Sequence, residues 1–139
     1  IFNGDIDIPV LTLHTTGDGL VANQNETAYR NTVREADEER RLRQVFVHRA
    51  GHCTFTPAET LVALGNLIER LDSGHWPDLH AADLNAEAGA LGPLNIVPPA
   101  FIHFEPAPFL RPFDAFIDRR CERHGGNEQE CFVDPDGDE

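Results

Sequence analysis

The sequence predicts an α/β protein built around a parallel sheet, and three observations predict it. Two short strand-like runs, the nearly continuous apolar Pro9 to Leu13 and the alternating-face Leu42 to His48, have the length of buried parallel strands. The segment between them carries apolar residues at helical spacing, and a second segment, from Thr56 onward, opens with helix-start signals ahead of another apolar period. Strand, helix, strand, helix is the order of a wound βαβ unit, whose crossover is right-handed in nearly all cases.

The first strand is predicted over Pro9 to His14, because Pro is tolerated at the first residue of a strand and the turn signal Thr15-Thr16-Gly17-Asp18-Gly19 follows. Asn23 and Glu26 have capping-box spacing, and Ala28, Tyr29, Val33 and Ala36 share one helical face. A helix over about Gln24 to Glu38 follows, with Arg30, Arg34, Glu35 and Glu38 as its solvated side. In the second strand, Val45 and Val47 point to one face, Phe46 and His48 to the other. Thr56-Pro57-Ala58-Glu59 then supplies a cap, a Pro in the first turn and a Glu three residues on. Leu61, Leu64, Ile68 and Leu71 form the predicted buried stripe of this helix, which Asp72-Ser73-Gly74 ends.

Past Gly74 the character of the chain changes. Three regions result: residues 1–74 with the βαβα pattern, an irregular Pro- and Phe-rich extension over 75–118, and an acidic tail over 119–139. Ala81 to Ala90 reads as a short helix, and Phe101 to Phe116 as an extended segment that lays aromatic rings across a neighbouring surface. The tail reads as loosely ordered unless Cys121 and Cys131 close a disulfide loop. Such a bridge favours a secreted, extracellular protein over a cytoplasmic one. The third cysteine, Cys53, is then left over as a small, buried packing residue.

All 11 basic residues are Arg, against 24 Asp plus Glu, for a net charge of −13. That balance repels phosphate backbones and argues against nucleic-acid binding. No apolar run approaches the roughly eighteen residues of a membrane span. The chain holds no Met, and we expect it to be a piece of a longer protein.

Two short motifs carry the chemistry. Gly17-Asp18-Gly19-Leu20-Val21 follows the first strand, and Arg49-Ala50-Gly51-His52-Cys53 follows the second. On parallel strands, Asp18 and His52 fall at the same carboxyl edge, where open α/β sheets place their sites. A carboxylate on one imidazole nitrogen fixes the tautomer and stabilises the imidazolium, leaving the other nitrogen to take a proton from a hydroxyl nucleophile. Gly51 suits the sharp bend that such a strand end needs.

The runs Pro9-Val10-Leu11-Thr12-Leu13-His14-Thr15-Thr16-Gly17-Asp18-Gly19-Leu20-Val21 and Val45-Phe46-Val47-His48-Arg49-Ala50-Gly51-His52 resemble the C-terminal third of an α/β-hydrolase fold enzyme, over roughly residues 6–72. The resemblance implies the last two parallel strands of that fold with their flanking helices, Asp18 as the triad acid and His52 as the triad base. It implies a serine hydrolase of ester, amide or peptide bonds, acting on a small-molecule ester or peptide substrate with no cofactor. The only Ser is Ser73, in a helix-ending turn after both partners, and no G-x-S-x-G is present. Cys53 is excluded as nucleophile because it adjoins His52 in sequence. The nucleophile is therefore expected upstream, in the N-terminal remainder of the same fold, and the chain alone is expected to be inactive and poorly stable.

Competing readings exist for each feature. Asp in a Gly-rich turn is commonly a turn former, and His14 and His48, inside strands, read as structural. Cys121, His124 and Cys131 have irregular spacing for zinc, and Asp134 to Asp138 lacks the terminal Glu of a calcium loop. The alternative for the whole chain is a non-catalytic interaction module, or a degenerate hydrolase fragment, whose Phe101 to Phe116 segment docks on a partner. Such a module has no reason to keep an acid and a His on one sheet edge.

Overall fold

The structure, a computed structural model, describes residues 2–108. It is a mixed α/β arrangement of three strands and three helices, with strand order β1-β2-β3. The order along the chain is β1 (Val10–Gly17), α1 (Gln24–Glu35), β2 (Leu42–Ala50), α2 (Pro57–Ser73), α3 (Ala81–Ala90) and β3 (Phe101–Ile102). Strands β1 and β2 run parallel, in register from Val10 opposite Leu42 to Thr15 opposite Val47. A register shift then puts Gly17 opposite Ala50. β1 continues through the predicted turn signal because Thr15 lies fully buried beside β2, its hydroxyl donating to the Gly51 carbonyl at 2.6 Å.

β3, absent from the sequence reading, pairs antiparallel with β2 and makes β2 the central strand. Two residues are too few to announce a strand by periodicity. Phe101 is 2% exposed and joins Val45, Val47, Ala58, Val62, Leu84 and Ala88 in the main core cluster. A smaller cluster of Ile6, Val33 and Leu42, with Tyr29 beside it, involves α1. Residues beyond Gly74 thus contribute to the same core as the βαβα segment.

Helix α1 ends three residues earlier than predicted, followed by Asp37 at φ 59. Its expected cap does not form. Asn23 instead donates to the Thr16 carbonyl, and Glu26 accepts from Thr12 and Gln44 across the strands. Ala28, assigned to the inner face, is exposed, and Thr27 and Val33 are the buried residues.

Helix α2 has the predicted capping box and Pro start, and Gly74 ends it at φ 78. Its inner face, however, is the opposite of the one predicted. Ala58, Glu59, Val62, Ala63 and Asn66 are buried, whereas Leu61, Leu64, Ile68 and Leu71 are about half exposed. The physical reason is layer spacing: the short side chains of Ala58, Val62 and Ala63 let α2 lie close to β1 and α3. The larger leucines were the stronger pattern in the sequence, and they face away.

Among the described residues no helix is long and apolar enough to cross a membrane. The sequence readings for Phe109 to Phe116, for Cys121 and Cys131, and for the acidic tail lie outside the described residues.

Candidate active site

β1 delivers Asp18 and β2 delivers His52, each just past its strand end. Gly17 permits their approach, since a Cβ there would sit 3.0 Å from the Ala50 Cα and 3.1 Å from the Arg49 carbonyl oxygen. The two loops are tied directly by the Gly51 amide, which donates to the Gly17 carbonyl at 2.9 Å. Gly51 itself has φ 101, a conformation in which a side chain would be strained.

Asp18 accepts two backbone hydrogen bonds on Oδ1, from Leu20 at 2.8 Å and Val21 at 2.9 Å. Its Oδ2 faces His52 Nδ1 at 2.8 Å. The Asp18 side chain is 4% exposed and the His52 side chain 44%. The Val21 amide is the main influence holding the Asp18 carboxyl down at about 2, below its ordinary 3.8; desolvation opposes it, and His52 and the Leu20 amide reinforce it. Asp18 is therefore a carboxylate near neutral pH, with only acceptors to offer. Its short contact with Nδ1 requires that nitrogen to carry the proton, so neutral His52 keeps its lone pair on Nε2.

The loop that carries His52 is stapled from below. Arg49 grips Glu59 with two bonds, 2.6 and 3.0 Å, and also donates to the Thr54 carbonyl at 2.9 Å and the Pro98 carbonyl at 3.2 Å. Glu59 is wholly buried and further accepts the amides of Thr56 and Ala100. Burial alone would raise its pKa, but the Arg49 fork and these two amides outweigh that and leave it lowered. The sequence announced Glu59 only as half of a capping box. Its pairing with Arg49, ten residues away and on another element, has no local signal.

Cys53 departs from its sequence reading. It is exposed rather than buried, at φ 52, with its Sγ 3.5 Å from His52 Nε2. Adjacent side chains rarely face each other, yet here the thiol lies beside the ring, on a residue whose backbone is left-handed. His14 is buried, with Nδ1 2.9 Å from the Thr15 carbonyl oxygen, and His48 is exposed near the Thr16 hydroxyl. Ser73 bonds locally with His75 in the turn after α2.

A cavity of about 710 Å³ lies elsewhere, bordered by Arg30, Arg43, Phe46, Leu84, Phe101 and Phe104, and neither Asp18 nor His52 lines it. No cluster of three or more potential metal-binding side chains occurs among the described residues.

No family model matches the chain, and no solved structure matches it. The chain is similar to a curated o-phthalyl amidase from Xanthobacter agilis, at 39% identity over 87 residues. Those residues make up 63% of this chain and 19% of the amidase, so the chain spans about a fifth of the relative it matches.

Proposed function

We propose that this chain supplies the acid and the base, Asp18 and His52, of a Ser-His-Asp hydrolase of the α/β-hydrolase fold, in a longer protein whose serine lies upstream. The scissile bond we assign is an amide, within the ester, amide and peptide class that the resemblance implies. The similarity to an amidase supports that choice.

The observation that carries the reading is the two-sided fixation of Asp18: one carboxylate oxygen on two backbone amides, the other 2.8 Å from His52 Nδ1. A turn-forming Asp needs only the first half. The second half orients an imidazole so that Nε2 accepts the proton of an attacking hydroxyl, and the carboxylate then stabilises the imidazolium that forms. The same Nε2–H afterwards returns the proton to the departing amine.

Two unpartnered surfaces suit docking to the upstream part of the same fold. Among the described residues β1 has no neighbour on its outer edge, and a solitary edge strand invites further strand pairing. The half-exposed stripe of Leu61, Leu64, Ile68 and Leu71 is an apolar helix face with room for a packing layer. Four-fifths of the length of the amidase relative lies outside the matched portion, ample for the missing strands and helices. A secreted location, which Cys121 and Cys131 would suit, belongs to the same proposal.

The test is covalent. A fluorophosphonate probe should label a serine upstream of position 1 in the full-length protein, within a strand-to-helix turn. Absence of labelling in a folded full-length protein would refute the serine-hydrolase assignment.

A further inference from the structure

Asp18, His52 and Cys53 form a contiguous acid–base–thiol cluster, and the thiol has no part in the function proposed above. Because the Asp18 carboxylate can only accept, it holds the His52 proton on Nδ1. In the neutral ring His52 Nε2 is then an acceptor, and the Cys53 Sγ–H, 3.5 Å from it, is the group placed to donate. From this geometry we infer that Cys53 is a reactive thiol, activated by the same dyad, and a modification site for soft electrophiles such as haloacetamides.

The reaction balances without another component. The thiol proton passes to His52 Nε2, the sulfur forms an S–C bond as the carbon–halogen bond breaks, halide leaves, and the imidazolium returns its proton to solvent. Exposure gives the reagent access to Cys53, and a thiolate paired with an imidazolium is the reactive form of cysteine. An adduct on Sγ also covers the Nε2 edge, where a serine hydroxyl would have to sit. That blocking effect rests on the hydrolase proposal; the reactivity of the thiol does not.

The experiment is alkylation of the full-length protein by iodoacetamide at neutral pH, with modification at Cys53 followed by peptide mass and free glutathione as the reference thiol. Cys53 should react about tenfold or more faster than glutathione. His52→Gln should bring it to within about twofold of the reference, with circular dichroism showing the helices retained. Asp18→Asn, which keeps the ring but frees its tautomer, should give an intermediate rate. A wild-type rate equal to that of glutathione overturns the inference, and so does a fast rate that survives His52→Gln. In the full-length protein, prior alkylation should abolish fluorophosphonate labelling in the wild type and not in Cys53→Ala. If the probe fails to label even unalkylated protein, the hydrolase proposal fails while the measured thiol rate stands.

Discussion

The Arg49 guanidinium meets the fully buried Glu59 carboxylate through two hydrogen bonds, 2.6 and 3.0 Å long, and so joins the end of β2 to the start of α2. Between those two anchors runs the short loop with Gly51, His52 and Cys53. The position of the imidazole therefore depends on a buried ion pair that touches neither His52 nor Asp18 within the hydrogen-bond network.

Replacing Glu59 with Ala leaves Arg49 without its buried carboxylate, removes half of the α2 capping box and frees the Ala100 amide. Breaking a buried pair from one side costs about 3–5 kcal/mol. Urea unfolding of Glu59→Ala should show a loss at the lower end of that range, about 3 kcal/mol, because the Arg49 side chain is 18% exposed and regains some hydration. A loss below about 1 kcal/mol would mean that the fork is dispensable.

Asp18 gives a prediction in pH. Its folded pKa of about 2 lies below its unfolded 3.8, so its contribution to stability is complete above the unfolded value and disappears as pH falls towards 2. A ¹³C carboxyl titration should place Asp18 near 2, and Asp18→Asn should flatten the acid limb of the stability curve. A midpoint near 4 would show that the Val21 and Leu20 amides and His52 do not hold the carboxylate in solution.

At Gly51 two separable penalties meet. The backbone has φ 101, and a Cβ would come within 2.8 Å of the Thr54 methyl. Gly51→Ala should destabilise by about 2 kcal/mol, in the range for a strained backbone position. Adding Thr54→Ser removes the methyl and keeps the hydroxyl, so the double variant should recover the clash and retain the conformational penalty. Full recovery would assign the whole cost to the clash.

The apolar stripe on α2 can be tested by a charge. In the 139-residue chain Leu64, 50% exposed, should tolerate Glu within about 0.5 kcal/mol. In the full-length protein the same substitution should cost about 2 kcal/mol, the scale of a leucine buried by a packing layer. Equal, small costs in both would leave the stripe uncovered and remove one support for docking to upstream elements.

Much of the framework was legible because its signals are local. Pro9 to Leu13 and Leu42 to His48 read as strands, Thr56 to Glu59 as a helix start, and the strand ends put Asp18 and His52 at one edge of the sheet. What the sequence concealed depends on pairing at long range. Which side of α2 faces the core is decided by α3 and β2, through Ala58 and Val62, not by the bulkier leucines. β3 is two residues long and exists because Phe101 and Ile102 meet Val47 and Phe46. Arg49 finds Glu59 only once β2 and α2 are folded together. The orientation of Cys53 rests on a left-handed φ, which a cysteine does not advertise.

The most direct test of the account is amide hydrolysis by the full-length protein with its two proposed catalytic side chains changed singly. His52→Ala should reduce kcat by about 10⁴-fold or more, and Asp18→Asn by about 10⁴-fold, with KM little changed, as expected when a base is lost or its tautomer released. An Asp18→Asn enzyme that folds and keeps its wild-type kcat would contradict the central claim that Asp18 orients His52 for catalysis.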